Sequence, residues 1–125
     1  MPSLSACIIV RNEERFLPGL LRNLSPVADE IIAVDTGSTD RTQGILRDHP
    51  KVRLHHFPWC GDFAAARNRS LEEASCDWVL VIDADERLKD PQGIRSLLHD
   101  GADAYHLRVR NIQPKGSLTN YEDSH

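Results

Sequence analysis

Hydrophobic positions along the chain alternate between short, nearly continuous runs and longer amphipathic stretches. The clearest runs are mostly β-branched or otherwise apolar, which is typical of strands covered on both faces; they comprise residues 4–10, 30–34, 52–57 and 78–82. A weaker run covers residues 104–109. Because strands that alternate with helices form βαβ units, the sequence predicts an α/β, Rossmann-like fold with a mostly parallel sheet.

Amphipathic stretches predict helices over residues 15–24, 40–48, 62–74 and 90–98. In the first, leucines recur at the i, i+3, i+4 and i+7 positions, which marks one buried stripe. The third and fourth begin at Asp62 and Asp90, whose carboxylates can cap the first helical turn. We expect Phe63 to join a narrow apolar face that the third helix buries.

Composition and charge narrow the class of protein. The 125 residues are 40% hydrophobic and 27% charged, which suits one globular domain with a buried core. With 15 basic and 19 acidic side chains, the formal net charge is −4. The chain therefore lacks the concentrated basic face that nucleic acid attracts, and we expect no nucleic-acid partner.

The cysteines Cys7, Cys60 and Cys76 are spaced neither as a disulfide framework nor as a CxxC metal site. Reduced thiols predict a cytoplasmic protein. No apolar run approaches the roughly 18 residues that span a bilayer, and the first residues do not resemble a secretion signal. The sequence leaves open a peripheral association with the inner face of a membrane through a partner.

Acidic residues follow several predicted strands at the edge where parallel strands end. Asn12 and Glu13 follow the first strand, Asp35 follows the second, and Asp83 and Asp85 follow the fourth. With a strand order of 3-2-1-4, the order reverses between strands one and four, and ligands bind at such reversals. We therefore expect these side chains to converge on one crevice.

Asp83 and Asp85 stand two residues apart after a strand, so both carboxylates can point to one side. Carboxylate and phosphate oxygens with water form the octahedral shell that Mg²⁺ or Mn²⁺ prefers, and without a cation the pair would repel a phosphate. From the residues alone, a metal-bridged diphosphate site and acids that merely end a strand are equally open.

Segments quoted in chain order carry a family resemblance: IIVRNEE over 8–14, VDTGSTD over 34–40, DFAAARN over 62–68 and VLVIDAD over 79–85. Together they resemble the inverting glycosyltransferases of family 2, whose nucleotide-binding domain has the GT-A fold. The resemblance covers residues 4–88 and is greatest to the branch with bacterial lipopolysaccharide-core glucosyltransferases and peptide glycosyltransferases. It implies transfer of a sugar, with inversion, from a nucleoside-diphosphate sugar.

The resemblance also implies roles at the nucleotide. Asn12 and Glu13 would shape the pocket, Asp35 would accept a hydrogen bond from the base or the ribose, and Arg67 would lie near the nucleotide. Many relatives have a second acid after the position of Asp35, whereas this chain has Thr36. One detail of nucleotide contact therefore differs from the family pattern.

At the metal motif, the resemblance implies that Asp83 faces the ribose or the metal and that Asp85 binds Mg²⁺ or Mn²⁺ on the diphosphate. A UDP-sugar is the favoured donor. A glycolipid, a lipopolysaccharide core or a peptide stays open as the acceptor.

The family's general base usually lies beyond the matched segments, on an acceptor-binding half. We expect residues 1–110 to form the nucleotide-sugar-binding half and residues 111–125 to form a polar tail that leads to an absent acceptor-binding half. Glu122 and Asp123 are acids of this tail, but nothing in the sequence places them over a sugar carbon. We therefore expect the chain to be truncated and its catalytic base to lie outside it.

Two other functions, and two roles for one aromatic residue, stay open. A non-catalytic module could bind a sugar nucleotide without turning it over, and a phosphotransferase could use Asp83 as its nucleophile. The second ranks lower, because such enzymes usually carry this motif on their first strand. Trp59, just before the third helix, could pack against the sheet edge or stack on a sugar, and we expect packing.

Overall fold

The computed structural model describes residues 3–98 and 112–114. Strands and helices alternate from the first strand to the fourth helix, as the hydrophobic pattern predicts. The elements are β1 (Leu4–Val10), α1 (Leu17–Leu24), β2 (Glu30–Asp35), α2 (Thr42–Arg47), β3 (Val52–His56), α3 (Phe63–Glu73), β4 (Trp78–Val81), α4 (Pro91–Leu97) and β5 (Ile112–Pro114).

These strands form one sheet in the order β3-β2-β1-β4-β5. β1 to β4 run parallel, and β5 pairs antiparallel with β4. The predicted order 3-2-1-4 and the α/β, Rossmann-like fold are confirmed. β5 lies within residues 111–125, so the sheet includes part of the segment that the sequence suggests is a polar tail. The strand predicted over 104–109, like Glu122 and Asp123, lies outside the described residues.

The core lies on both faces of the central strands, because helices pack against both sides of β1 and β2. On one face, alternate residues of β1 such as Ile8 pack with the leucines of α1 and with Ile94 of α4. On the other face, Cys7 packs with Leu71 near the end of α3. This double cover explains why the two strands read as continuous apolar runs.

The helix caps agree with the sequence, whereas two predictions of burial are wrong. Asp62 accepts a hydrogen bond from the N–H of Ala65 at 3.2 Å, and Asp90 accepts one from Gly93 at 3.0 Å. β3 is only partly buried, because it forms the edge of the sheet beside β2. Phe63, expected inside, is 44% exposed, since it lies on the first turn of α3 beyond the end of the sheet.

Cys7, Cys60 and Cys76, all among the described residues, form no disulfide, which agrees with the prediction from their spacing. Among the helices within residues 3–98, none combines the length and the apolar character that a membrane crossing requires.

Candidate functional site

The turn after β1 is held to the loop after β2. Asn12 has φ 54°, in the left-handed region that asparagine tolerates better than most side chains. Its Oδ1 accepts a hydrogen bond from the N–H of Thr39 at 2.7 Å, and its own N–H donates to Oγ of Ser38 at 2.9 Å. The N–H of Glu13 donates to Oγ1 of Thr42 at 2.8 Å. Asn12 thus positions Glu13 relative to the neighbouring loop.

Asp35 ends β2 with one carboxylate oxygen occupied and the other without a partner. Oδ2 accepts hydrogen bonds from the N–H groups of Gly37 and Ser38 and from Nε2 of Gln43, at 3.2, 3.1 and 2.9 Å. Oδ1 is buried and has no hydrogen-bond partner within the described part of the chain. Burial by itself would raise the pKa of Asp35, but the hydrogen bonds from Ser38, Gln43 and Gly37 outweigh it and lower that pKa. Asp35 is therefore an ionised acceptor with one unused oxygen.

Three aspartates from two other loops lie close enough to Glu13 to influence its ionisation. Burial first, and then the charges of Asp85, Asp40 and Asp83, raise the pKa of Glu13. Asp40 belongs to the loop after β2, where its Oδ2 accepts a weak 3.4 Å hydrogen bond from the N–H of Glu14. Glu13, Asp40, Asp83 and Asp85 form what we call the acidic edge. The sequence predicted the convergence of Glu13 with the Asp-X-Asp acids, but it did not single out Asp40.

Asp35 and Asp83 lie on opposite sides of β1 at nearly the same height along the sheet. Val10 pairs with Asp35, and Cys7 pairs with Val81, a register that brings Asp83 level with Ile9. Two strand spacings correspond to about 10 Å, so the two acids flank β1 without touching across it. Glu13 follows β1, the strand that lies between β2 and β4 in the sheet.

Arg67 of α3 joins the acidic edge to an exposed aromatic ring. Its Nη2 lies 3.5 Å from Oδ1 of Asp83, whose side chain is 60% exposed. Its Cζ lies 4.9 Å from the centre of the Phe63 ring, within the range of a cation–π contact. Arg67 was predicted to lie near a nucleotide, and the structure places it beside the predicted metal motif.

A hollow of about 250 Å³ opens beside the carboxyl end of β1. Its wall includes Ile9, Val10, Glu13, Thr36, Trp59 and Phe63. Trp59 is 47% exposed, so the expectation that it packs against the sheet edge is wrong. The hollow combines an apolar floor, two aromatic rings, a carboxylate and the basic residue Arg11, and it adjoins the acidic edge through Glu13.

The acidic edge suits a cation that shares its ligands with a substrate. Within residues 3–98 and 112–114, no group of three His, Cys, Asp or Glu side chains is placed to hold a metal by itself. Asp83 and Asp85 are both exposed. Mg²⁺ commonly binds through one or two carboxylates plus water and substrate phosphates, so this open donor set fits such an ion.

A family model described as glycosyl transferase family 2 matches residues 5–123. The chain belongs to this family. The match takes in every element that builds the hollow and the acidic edge, and it confirms the family that the motifs resemble.

Two curated relatives match most of this chain, and one of them is named a glycosyltransferase. The chain is 46% identical over 88 residues to a TPR repeat-containing protein of Synechococcus elongatus, covering 70% of this chain and 22% of that protein. It is 39% identical over 99 residues to the lipopolysaccharide core biosynthesis glycosyltransferase LpsC of Rhizobium meliloti, covering 76% of this chain and 35% of LpsC. The chain therefore spans about a fifth to a third of the length of these relatives.

Solved structures of glycosyltransferases share the fold. One is glucosyl-3-phosphoglycerate synthase of Mycobacterium tuberculosis, in complex with Mn²⁺, UDP and glucosyl-3-phosphoglycerate. The TM-score is 0.57 at 28% identity, over 66% of this chain and 33% of the synthase. The GT-A fold that the sequence motifs imply is thereby confirmed.

Trp59 and Phe63 are the site residues whose exposure sequence reasoning missed. A signal was available, because Trp59 stands between Pro58 and Cys60-Gly61 in a stretch without strand or helix periodicity. Gly61 has φ 82°, which marks an irregular turn before α3 rather than a packed element.

Proposed function

We propose that the chain forms the donor-binding half of a glycosyltransferase that moves a sugar from a nucleoside-diphosphate sugar to an acceptor. The observation that carries this proposal is the position of Glu13, which lines the hollow and also lies beside Asp83 and Asp85. The hollow can hold the nucleoside, and the open acidic edge next to it can hold the diphosphate through a cation. The two features together therefore suit one nucleoside diphosphate.

At the nucleoside end, Asp35 supplies a directional acceptor. Its lowered pKa keeps the carboxylate ionised at neutral pH, so the unused Oδ1 can only accept hydrogen bonds. It would accept one from a base N–H or from a ribose hydroxyl. We favour a UDP-sugar as the donor, because the related synthase binds UDP.

At the diphosphate end, Asp83 and Asp85 would hold Mg²⁺ or Mn²⁺ against the phosphate oxygens as an Asp-X-Asp motif. The Mn²⁺ in the related synthase supports this assignment. When bound, the cation would offset the charge that develops on the departing nucleoside diphosphate. Arg67, which lies beside Asp83, would add a permanent positive charge near the leaving group.

The proposed reaction is a single displacement with inversion, in which an acceptor nucleophile attacks the anomeric carbon opposite the leaving group. We assign the general base to a part of the protein outside residues 3–98 and 112–114. Among the open acceptors, the similarity to LpsC supports a glycolipid such as a lipopolysaccharide core. That Cys7, Cys60 and Cys76 form no disulfide within the described residues supports a cytoplasmic location, and such an acceptor would bring the protein to the inner face of the membrane.

Calorimetric titration of the 125-residue chain with UDP and with GDP, each with and without Mn²⁺, tests the proposal. We expect Mn²⁺-dependent binding that weakens about tenfold or more in Asp85→Asn, a loss of at least about 1.4 kcal/mol. Glu72→Gln, which changes an exposed acid on α3, is the matched control and should bind as the wild type does. Binding that is equally strong in Asp85→Asn, or no binding of either nucleotide by the wild type, would contradict the proposal.

Release of glucose from UDP-glucose in the same samples separates a catalytic chain from a module that only binds the donor. Slow release that depends on Asp85 would favour a catalytic chain. Binding of UDP without any release would favour the binding module.

A further inference from the structure

We infer that Trp59 stacks on the nucleobase of the donor and so determines affinity for the nucleoside, an inference that rests on the proposed function. The sequence left two roles open for this residue, packing or stacking on a sugar. The structure removes the first, since Trp59 is 47% exposed while forming part of the wall of the hollow. A large aromatic side chain left half in solvent beside a cavity is placed to cover a planar ligand.

The size and lining of the hollow fit one ring of a nucleotide. At about 250 Å³ it is smaller than the roughly 300–1,000 Å³ pockets that enclose a whole drug-sized ligand. Ile9 and Val10 supply an apolar floor, and Trp59 and Phe63 add aromatic surface. Each base has a π-face, so stacking on such a wall is available to a uracil or a guanine alike.

The position of the hollow favours the nucleobase of the donor as its occupant, over the ribose and over the transferred sugar. Thr36 of the wall follows β2, so the hollow opens on the β2 side of β1. Asp83 and Asp85 follow β4, on the other side of β1. If the diphosphate lies at the acidic edge, the sugar attached to it lies on the β4 side of β1. The nucleoside, at the other end of the diphosphate, then lies on the β2 side, next to Trp59.

Phe63 and Arg67 connect the two ends of this path. Phe63 forms part of the wall, and the guanidinium of Arg67 lies 4.9 Å from the centre of its ring. The same guanidinium lies 3.5 Å from Asp83. The aromatic wall and the acidic edge are therefore adjacent, as a ligand with a base at one end and a diphosphate at the other requires.

The test compares ligands with and without a base, on the full 125-residue chain in the presence of Mn²⁺. The ligands are UDP, GDP and ribose 5-diphosphate, and the variants are Trp59→Ala and Trp59→Phe. Phe16→Leu is the matched control, because Phe16 is an exposed aromatic residue (37%) that does not contribute to the wall. We expect Trp59→Ala to weaken UDP binding about tenfold, in line with alanine substitutions of stacking residues. Trp59→Phe should retain most of the affinity.

Base-free ribose 5-diphosphate should bind all of these proteins within about twofold of the wild type, because it has nothing to stack. Fluorescence gives a second readout that does not depend on Trp59→Ala folding. The chain has two tryptophans, and Trp78 is buried in β4. UDP should quench the emission of the wild type, whereas ribose 5-diphosphate should not, and Trp59→Phe should lose the quenching.

Two results would overturn the inference while leaving the proposed function in place. One is UDP binding that is unchanged in Trp59→Ala, without quenching in the wild type. The other is an equal loss of affinity for UDP and for ribose 5-diphosphate in Trp59→Ala. Failure of the wild type to bind either UDP or GDP would overturn the inference and the proposed function together.

Discussion

The guanidinium of Arg67 lies 3.5 Å from the carboxylate of Asp83, although the two residues belong to α3 and to the loop after β4. Arg67 is largely buried beside Phe63, whereas Asp83 is open to solvent. Arg67 therefore brings a fixed positive charge to the acidic edge of Glu13, Asp40, Asp83 and Asp85. This charge offsets part of the repulsion that a phosphate would meet there.

Removing the charge of Arg67 should have opposite effects on the metal and on the nucleotide. Arg67→Gln should bind Mn²⁺ alone more tightly, because the acids then lack a competing cation. The same variant should bind UDP without metal more weakly, by about three- to tenfold, since a phosphate at the acidic edge loses the guanidinium of Arg67. Calorimetry with each ligand measures both effects, and changes in the same direction for both would contradict the expectation.

Replacing Asp35 by asparagine should put a hydrogen-bond donor where the unpartnered acceptor Oδ1 now lies. The asparagine carbonyl can take the place of Oδ2 and keep the N–H groups of Gly37 and Ser38, which leaves an NH₂ donor where Oδ1 was. A base N–H would then face a donor, so we expect UDP affinity to fall about tenfold. Asp48→Asn, at the exposed end of α2, is the control. Unchanged UDP affinity in Asp35→Asn would remove Asp35 from the nucleotide site.

Two substitutions of Asn12 separate the contribution of its side-chain hydrogen bond to stability from the cost of its left-handed backbone. Asn12→Ala loses the hydrogen bond from Thr39 and must hold a left-handed φ, so it should cost about 2 kcal/mol in the free energy of unfolding. Asn12→Gly loses the same bond but tolerates the backbone, so it should cost about 1 kcal/mol. Urea unfolding followed by circular dichroism compares them. Equal costs would mean that the left-handed backbone imposes no strain at this position.

Glu30 should make stability depend on pH. It is buried at the start of β2, where it accepts hydrogen bonds from Ser5 and from the N–H and hydroxyl of Ser75, with Arg53 at 3.7 Å. Burial alone would raise the pKa of Glu30, but hydrogen bonds from Ser5 and Ser75 and the charge of Arg53 lower it from the usual 4.5. The ionised group therefore stabilises the fold above about pH 4.5. That stabilisation is lost as the pH falls through the lower pKa of the folded state.

Glu30→Gln should accordingly unfold more easily than the wild type at pH 7, by about 2 kcal/mol. The difference should shrink at pH 3, because below the usual pKa of 4.5 the unfolded chain takes up a proton that the folded carboxylate, with its lowered pKa, resists. Urea unfolding at both pH values measures this, with Glu72→Gln as an exposed control. A difference that is equally large at pH 3 would show that packing, and not ionisation, gives Glu30 its effect.

Much of this site was visible in the sequence because its residues occupy positions set by local rules. The apolar runs predicted β1 to β4 within a residue or so, and Asp62 and Asp90 predicted the starts of α3 and α4. Parallel strands end at one edge, so the acids after β1 and β4 had to meet there. The sequence therefore indicated the family and the acidic character of this edge, whereas the strand order 3-2-1-4 was a hypothesis that the structure confirms.

Only the tertiary structure decided which polar atoms are hydrogen-bonded and which side chains are exposed. It showed that Oδ2 of Asp35 is occupied while Oδ1 is not, and that Trp59 and Phe63 line a hollow instead of packing inside. It also brought Arg67 against Asp83. Periodicity reports how a residue relates to its neighbours along the chain, whereas exposure and pairing depend on what other segments place next to it. Those contacts between distant segments exist only once the sheet and its helices have assembled.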